Sequence, residues 1–326
     1  MNFFPDAQAE YARKNAFFAV ITILDVEFEA LKYVFGQPIH LPMDSSFLPF
    51  EFYAFRFEDF LGSARPLICC SAIEPGNNAA AIAATALHFG FPNLEQLFVC
   101  GIAAGMPVNL GEDVRELSPK EQERHVSIGD VVISTEGIFQ YDNLRLTGRG
   151  GNDHRVETLK TTPRISGAIK AIQSRQRSFV HNWRSEASGI LGSEDCPWNM
   201  PDMSEAKFTP MYLNNRKPMT RAVPQEPPIR AGDTQSLPHL HFGIVGSANI
   251  LLRDFRYRDR LLSDKRILAI EMEGSGVNDT AWTFGKSALA VRGCCDFADM
   301  NKGDHYHELA AINAAAVLKD LLTGIK

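Results

Sequence analysis

Apolar residues come in short continuous runs, and the runs alternate with segments of helical spacing. Residues 17–24 read Phe-Phe-Ala-Val-Ile-Thr-Ile-Leu, a β-rich run with no polar face, as fits a strand buried on both sides. Asp25 follows as an N-cap for a helix over 26–34. The next apolar run, 65–73, passes through a Glu74-Pro75-Gly76-Asn77-Asn78 turn into an Ala-rich helix over 79–88. A third strand, 96–100, ends in a Gly101-Ile102-Ala103-Ala104-Gly105 turn, and a fourth covers 126–134, with a Gly-Asp turn at its entry. Runs at 240–246, 268–272 and 287–294 complete the strands, and an Ala/Leu-rich helix over 306–323 closes the chain. The alternation predicts an α/β fold: one domain with a mixed, twisted central sheet and helices on both faces.

One stretch breaks the rhythm. Residues 185–238 hold eight of the chain's 18 prolines, too many for a helix or a central strand. The strand pattern resumes afterwards, so the stretch reads as an insert within a domain spanning 17–326, preceded by an extension over 1–16. An insert of this length inside a compact domain is a lid, a binding loop or a flexible excursion.

Composition narrows the partners. A net charge of −6 argues against a nucleic-acid or anionic-membrane surface, and no apolar run reaches the ~20 residues that span a bilayer. The first residues lack the basic region and long apolar core of a signal peptide. The six cysteines, Cys69, Cys70, Cys100, Cys196, Cys294 and Cys295, fall mostly inside apolar runs, which suits reduced thiols in a cytoplasmic protein. The chain lacks GxxxxGK[ST], GxGxxG, GxSxG and CxxC. The pairs His239/His241 and His305/His307 have no third ligand at convincing spacing, so no metal is expected.

What remains is a set of carboxylates at strand ends: Glu27 after the first strand, Glu271 and Glu273 at the end of the 268–272 run, and Asp296 and Asp299 after the last. Ligands of open α/β sheets bind at such ends, and acids buried there are costly unless paired or working on a substrate. Cleavage of a purine C–N glycosidic bond needs such a set. An acid protonates purine N7, a carboxylate stabilises the oxocarbenium-like sugar, and a base orients the attacking water.

The motifs then resemble a family. Gly101-Ile-Ala-Ala-Gly105 is similar to a G-x-A-G-G turn, Ile128-Gly-Asp-Val-Val-Ile-Ser134 to V-G-D-I-V-V-S, and Phe242-Gly-Ile-Val-Gly-Ser-Ala-Asn249 to a base-side strand. Glu271-Met-Glu273 and Cys295-Asp-Phe-Ala-Asp299 correspond to an E-M-E ribose motif and an S-D-x-A-D acid loop. Together they resemble the nucleoside phosphorylase superfamily, in its methylthioadenosine/S-adenosylhomocysteine nucleosidase-like branch, from about residue 17 to the end.

The resemblance implies a three-layer α/β/α domain and a purine nucleosidase acting on an adenine nucleoside or nucleotide, without metal or organic cofactor. It assigns Asp296 as general acid and Glu27 as the residue orienting water. Glu273 holds the ribose hydroxyls, Met272 packs on the sugar, Glu271 takes a supporting place at the substrate, and Ala103 and Gly105 of the glycine-bounded turn are substrate contacts. Asp299 is read as a structural turn cap. The position expected to stack on adenine falls on Ile250, an aliphatic residue, so Phe139, Phe297 or the insert would complete the base site. The first loop has two acids and neither glycine nor arginine, which favours water over phosphate as nucleophile. Arg216, Arg221 and Arg253 are candidate contacts for a 5′-phosphate, with Lys217 and Arg230 nearby. Relatives of this kind assemble as dimers or higher, and longer members with such inserts resemble modules of nucleotide depletion in antiviral defence. Two alternatives stay open: a phosphate-dependent phosphorylase, and a nucleotide-sensing or partner-activated effector.

Overall fold

The computed structural model describes residues 5–42, 50–108, 118–146, 152–154, 163–178, 180–209, 212–213, 217–218, 222–225, 228–230 and 233–325. Nine strands form one sheet: β1 (Phe18–Thr22), β2 (Ile39–Leu41), β3 (Phe52–Glu58), β4 (Ala64–Ser71), β5 (Gln96–Gly105), β6 (Val131–Gln140), β7 (Leu240–Ser247), β8 (Ile267–Glu271) and β9 (Ser287–Asp296). Their order is β8-β7-β6-β9-β5-β1-β4-β3-β2, and β8 pairs back onto the end of β5. Strands β5, β9, β6, β7 and β8 therefore close into a ring, with β1 to β4 as an open extension. The sheet is mixed: β4, β1, β5 and β9 run parallel, β6, β7 and β8 run parallel, and the two groups meet antiparallel. Closure brings the carboxyl end of β8 beside the ends of β5 and β9, which positions the site described below.

Around the sheet lie α1 (Pro5–Asn15), α2 (Asp25–Phe35), α3 (Asn77–Gly90), α4 (Pro119–Arg124), α5 (Pro163–Arg177), α6 (Asn182–Leu191), α7 (Phe255–Lys265), α8 (Gly274–Thr283) and α9 (His307–Thr323). Successive strand residues face opposite layers. Ile21, Ile68 and Val99 pack with the alanines of α3 and with Val277 and Ala281 of α8. Their neighbours Val20, Cys69 and Phe98 pack with Leu31 and Val34 of α2 and with α9. At Gly276 a β-carbon would overlap the Asn77 backbone, so the absence of a side chain lets the start of α8 meet the start of α3.

Several boundaries differ from the sequence reading. Leu24, not Asp25, occupies the N-cap position of α2; Glu27 reaches back to cap it instead. β5 does not turn at Gly101 but continues to Gly105, because β9 and then β8 hydrogen-bond to that extension. β6 starts at Val131, after a turn made by Gly129 at φ +86° and by Asp130 accepting from Ser127 N–H. The antiparallel β2–β3 edge and helices α1, α4, α5, α6 and α7 were not anticipated. α6 occupies the start of the proline-rich stretch, ahead of its first proline, Pro197. Beyond it the described residues contribute a short turn at Met203–Glu205 and two ribbons, Lys207–Phe208 with Val223–Pro224 and Tyr212–Leu213 with Lys217–Pro218. No helix among the described residues is long and apolar enough to cross a membrane.

Candidate active site

Glu27 is the third residue of α2 and is buried. One carboxylate oxygen accepts from Ile23 N–H (2.7 Å) and Leu24 N–H (3.1 Å), and the other from Ile102 N–H on β5 (2.8 Å). The last contact is possible because residue 101 is glycine: a β-carbon there would collide with the Glu27 carboxyl group. Glu27 thus caps α2 and faces the pocket in one geometry.

Beside it lies Arg292 of β9, fully buried. Its guanidinium pairs with Glu271, lies 2.9 Å from Glu273 and 3.7 Å from Glu27. Glu271 also accepts from Glu273 N–H (3.0 Å) and Gly274 N–H (2.8 Å), satisfying donors at the start of α8. Glu273 accepts from Gly76 N–H (3.1 Å) at the entrance to α3. Three carboxylates share one cation. Burial raises Glu273, Arg292 pulls it down, and Glu271 and Glu27 push it up again, leaving it at about 7. Burial disfavours the Arg292 charge, but the three carboxylates outweigh that and bind its proton more firmly than usual.

Asp296 ends β9. Its Oδ1 accepts from Ala298 N–H (2.8 Å) and its Oδ2 lies 3.1 Å from Lys302 Nζ. Cys295 Sγ sits 3.4 Å from the same oxygen; burial and Asp296 push this thiol up, so it stays protonated. Ala298 adopts φ +49°, a left-handed conformation costing a non-glycine residue roughly 1–2 kcal/mol. What over-determines that turn is a buried network. Asp299 accepts from Asn301 N–H (2.8 Å) and from Thr209 N–H (2.6 Å), while Arg258 of α7 donates to the Phe297 carbonyl (2.9 Å) and the Thr209 carbonyl (2.8 Å). Thr209 belongs to the proline-rich stretch, which thereby clamps the acid loop.

These side chains border a pocket of about 230 Å³. Of the residues singled out from the sequence, Glu27, Ala103, Ile250, Glu271, Met272, Glu273 and Asp296 line it. Gly105 and Phe297 do not. Gly105 is packed in the β5–β8 pairing against Val126, and Phe297 is buried against Ile128 and Ala206, facing a different cavity. Phe139 is buried beneath Tyr141 and Ile270 and is not part of the lining. Ile250 and Leu251 are each 53% exposed, forming an apolar mouth. Arg253 follows that mouth, exposed, without lining the pocket. Arg216 and Arg221 lie outside the described residues. Arg230 is no phosphate contact of this pocket: it is buried elsewhere against Asp130. Of the two first-loop acids only Glu27 faces the pocket, since Asp25 is exposed.

Arg292, Tyr141, Lys302 and His307 were missed. Arg292 carried a signal, a lone cation inside the apolar run Leu-Ala-Val-Arg-Gly-Cys-Cys, tolerable in a strand only with buried partners. Tyr141, whose hydroxyl donates to the Ile250 carbonyl (3.4 Å), carried none.

Comparison with known proteins agrees with this architecture. The chain is similar to the "ATP nucleosidase Cap17" of Escherichia coli, 26% identical over 305 residues, which are 93% of this chain and 50% of that protein. It is also 23% identical over 269 residues, 80% of its length, to 25% of a "nucleotide-binding leucine-rich repeat (NLR)-like protein" of Hyaloscypha variabilis. The chain thus spans half or less of the length of these relatives. Two Helicobacter pylori structures share the fold at 14% identity and TM-score 0.59: a 5′-methylthioadenosine/S-adenosylhomocysteine nucleosidase, covering 94% of this chain and 98% of that one, and a futalosine hydrolase, covering 96% and 98%. With a sequence profile described as "Phosphorylase superfamily" matching residues 18–324, nearly its whole length, the chain belongs to the phosphorylase superfamily.

Proposed function

We propose that this pocket hydrolyses the N-glycosidic bond of an adenine nucleoside or nucleotide, releasing free adenine and the sugar or sugar phosphate. The observation that carries the reading is the convergence of Glu27, Glu273 and Asp296, from three strand ends, on one pocket. Asp296 is the acid for purine N7, which makes the base a better leaving group. As the C–N bond breaks, positive charge builds on the sugar, and the Arg292 cluster, which carries more carboxylates than cations, offsets it. Glu273 receives the ribose hydroxyls, with Met272 against the sugar ring. Glu27, pinned by three backbone donors, accepts from the attacking water and orients it toward the anomeric carbon.

Water is favoured over phosphate because the Arg292 charge is shared among three carboxylates and Lys302 pairs with Asp296. A nucleotide is favoured over a thioether nucleoside by the similarity to the E. coli ATP nucleosidase. Arg253 is the described cation that follows the mouth residues Ile250 to Leu252 and could meet a 5′-phosphate there. The exposed apolar mouth suits coverage by a second copy, so we infer at least a homodimer. Free, buried thiols suit a reducing cytoplasm. A second reading, a nucleosidase module switched on by a partner, is favoured by the much greater length of both relatives.

The test is incubation in phosphate-free buffer with ATP, AMP, adenosine, methylthioadenosine and S-adenosylhomocysteine, with chromatography for free base. Adenine from at least one substrate, absent in Asp296→Asn, is the expected result. Turnover only after phosphate is added would make the protein a phosphorylase, and silence in both buffers would leave the partner-activated reading.

A further inference from the structure

A larger cavity, about 490 Å³, opens where β7 and β8 begin, while the catalytic pocket is bordered by residues at their other ends. Leu240 and Leu268 give it an apolar floor. Its polar wall is rich in donors. Arg230 is only 8% exposed; its Nη2 donates to the His125 carbonyl (2.8 Å) and to Asp130 (2.9 Å). Its Nε and Nη1 find no hydrogen bond among the described residues.

His239 adds a second directed donor. The Gln176 side-chain nitrogen donates to the Leu240 carbonyl (2.9 Å), so it is an N–H group that faces His239 Nε2 at 2.9 Å. His239 Nε2 must then accept, which puts the ring proton on Nδ1. That Nδ1 has no partner among the described residues. Arg124 ends α4 and Arg177 ends α5, and both line the same cavity. Asp130, the buried acid beneath, is already engaged by Arg230 and His241, and among the described lining residues Glu123 is the one carboxylate. Buried donors without acceptors are costly, and guanidinium groups grouped around a cavity match the geometry of a phosphoryl group.

We propose that this cavity is a second ligand site, taking the phosphate group of a small phosphorylated molecule. Arg230 and His239 hold the oxyanion from within, Arg124 and Arg177 close on it from the rim, and the apolar floor supports the rest of the ligand. The site uses none of the residues assigned to glycosidic cleavage and stands or falls independently of that reading.

Calorimetric titration of inorganic phosphate and of AMP tests it, using the full-length Asp296→Asn variant with its catalytic pocket saturated by adenosine, at matched ionic strength. The expected result is one phosphate-bearing ligand per chain, with affinity reduced at least ten-fold in an added Arg124→Ala/Arg177→Ala pair. Arg230→Met, checked by circular dichroism for native fold, should lose binding as well; the rim pair serves if it does not fold. AMP binding tighter than phosphate would identify a nucleotide ligand, and equal affinity free phosphate. Absence of binding, binding that adenosine abolishes, or affinity unchanged by the rim pair would overturn the proposal. So would a single-stranded oligonucleotide binding more tightly than AMP, which would make the cavity part of a nucleic-acid surface.

Discussion

Two buried ionic clusters in this protein use the same residue types with opposite balance. Around Arg292 one guanidinium serves three carboxylates, Glu27, Glu271 and Glu273. Around Asp130 one carboxylate receives Arg230 and His241, each at 2.9 Å, and the N–H groups of Ser127 and His239 at 2.9 and 2.7 Å. In the first, burial, together with the neighbouring Glu271 and Glu27, outweighs Arg292 and raises Glu273 to about 7. In the second, burial pushes Asp130 up, but Arg230 and His241 outweigh it and hold the carboxyl well below its usual range. A group that changes charge near neutrality borders the candidate active-site pocket; a carboxylate saturated with donors ties β6 to β7. Surplus acid in one cluster and surplus hydrogen-bond donors in the other separate a site suited to developing positive charge from one that anchors structure and offers donors.

The largest effect should come from Asp296→Asn, which removes the proton donor while keeping the shape: adenine release falls about 10³-fold, measured by chromatography, with an unchanged melting temperature. Next come the cluster centres. Arg292→Met leaves three buried carboxylates without their cation, a loss of about 3–5 kcal/mol, and removes activity too. Asp130→Asn should lower stability in denaturant titrations yet leave kcat in the folded protein near wild type. If both variants behave alike, the comparison breaks. Gly101→Ala drives a β-carbon into the Glu27 carboxyl group and should lower turnover about 10²-fold, with KM little changed.

Glu273 sharpens the contrast through pH. Activity that needs its carboxylate falls below about pH 7, and Glu273→Gln flattens that limb of the rate profile. Stability runs the other way. Because the folded protein raises this acid from 4.5 to about 7, it favours the neutral form. That contribution is fully present below pH 4.5 and lost as pH rises through 7, roughly 3 kcal/mol in all. Melting curves between pH 5 and 8 should fall more steeply for wild type than for Glu273→Gln. The smallest effect belongs to Lys302→Ala: its partly exposed pair with Asp296 holds the acid in place, and about 1 kcal/mol, roughly five-fold in kcat, should be lost.

Much of the pocket was legible because buried acids at strand ends are expensive and therefore conspicuous. Glu271-Met272-Glu273 and Asp296 stand out in otherwise apolar runs. Arg292 is equally conspicuous by the same physics, since buried acids at strand ends require a cation and the 287–294 run holds one. Tyr141 and His307 come from the end of β6 and the start of α9, and only the closed sheet brings them to the pocket. The Gly101 segment read as a turn because glycine and alanine carry weak strand preference. β9 and β8 supply the hydrogen bonds that keep it extended, and no local pattern records those. The α6 helix was hidden by the prolines that follow it, and Phe297 read as a base contact because it follows the proposed acid, whereas Arg258 holds the loop by the Phe297 carbonyl and the ring is buried.

The central claim is that three carboxylates divide a hydrolysis between them, with Glu27 directing water to the anomeric carbon. Turnover of the preferred substrate in ¹⁸O-labelled water, without phosphate, tests it most directly by mass spectrometry of the sugar product. The account predicts one solvent oxygen at the anomeric carbon, at a rate that Glu27→Gln lowers sharply. A sugar 1-phosphate formed only with added phosphate, its anomeric oxygen unlabelled by solvent, would contradict it.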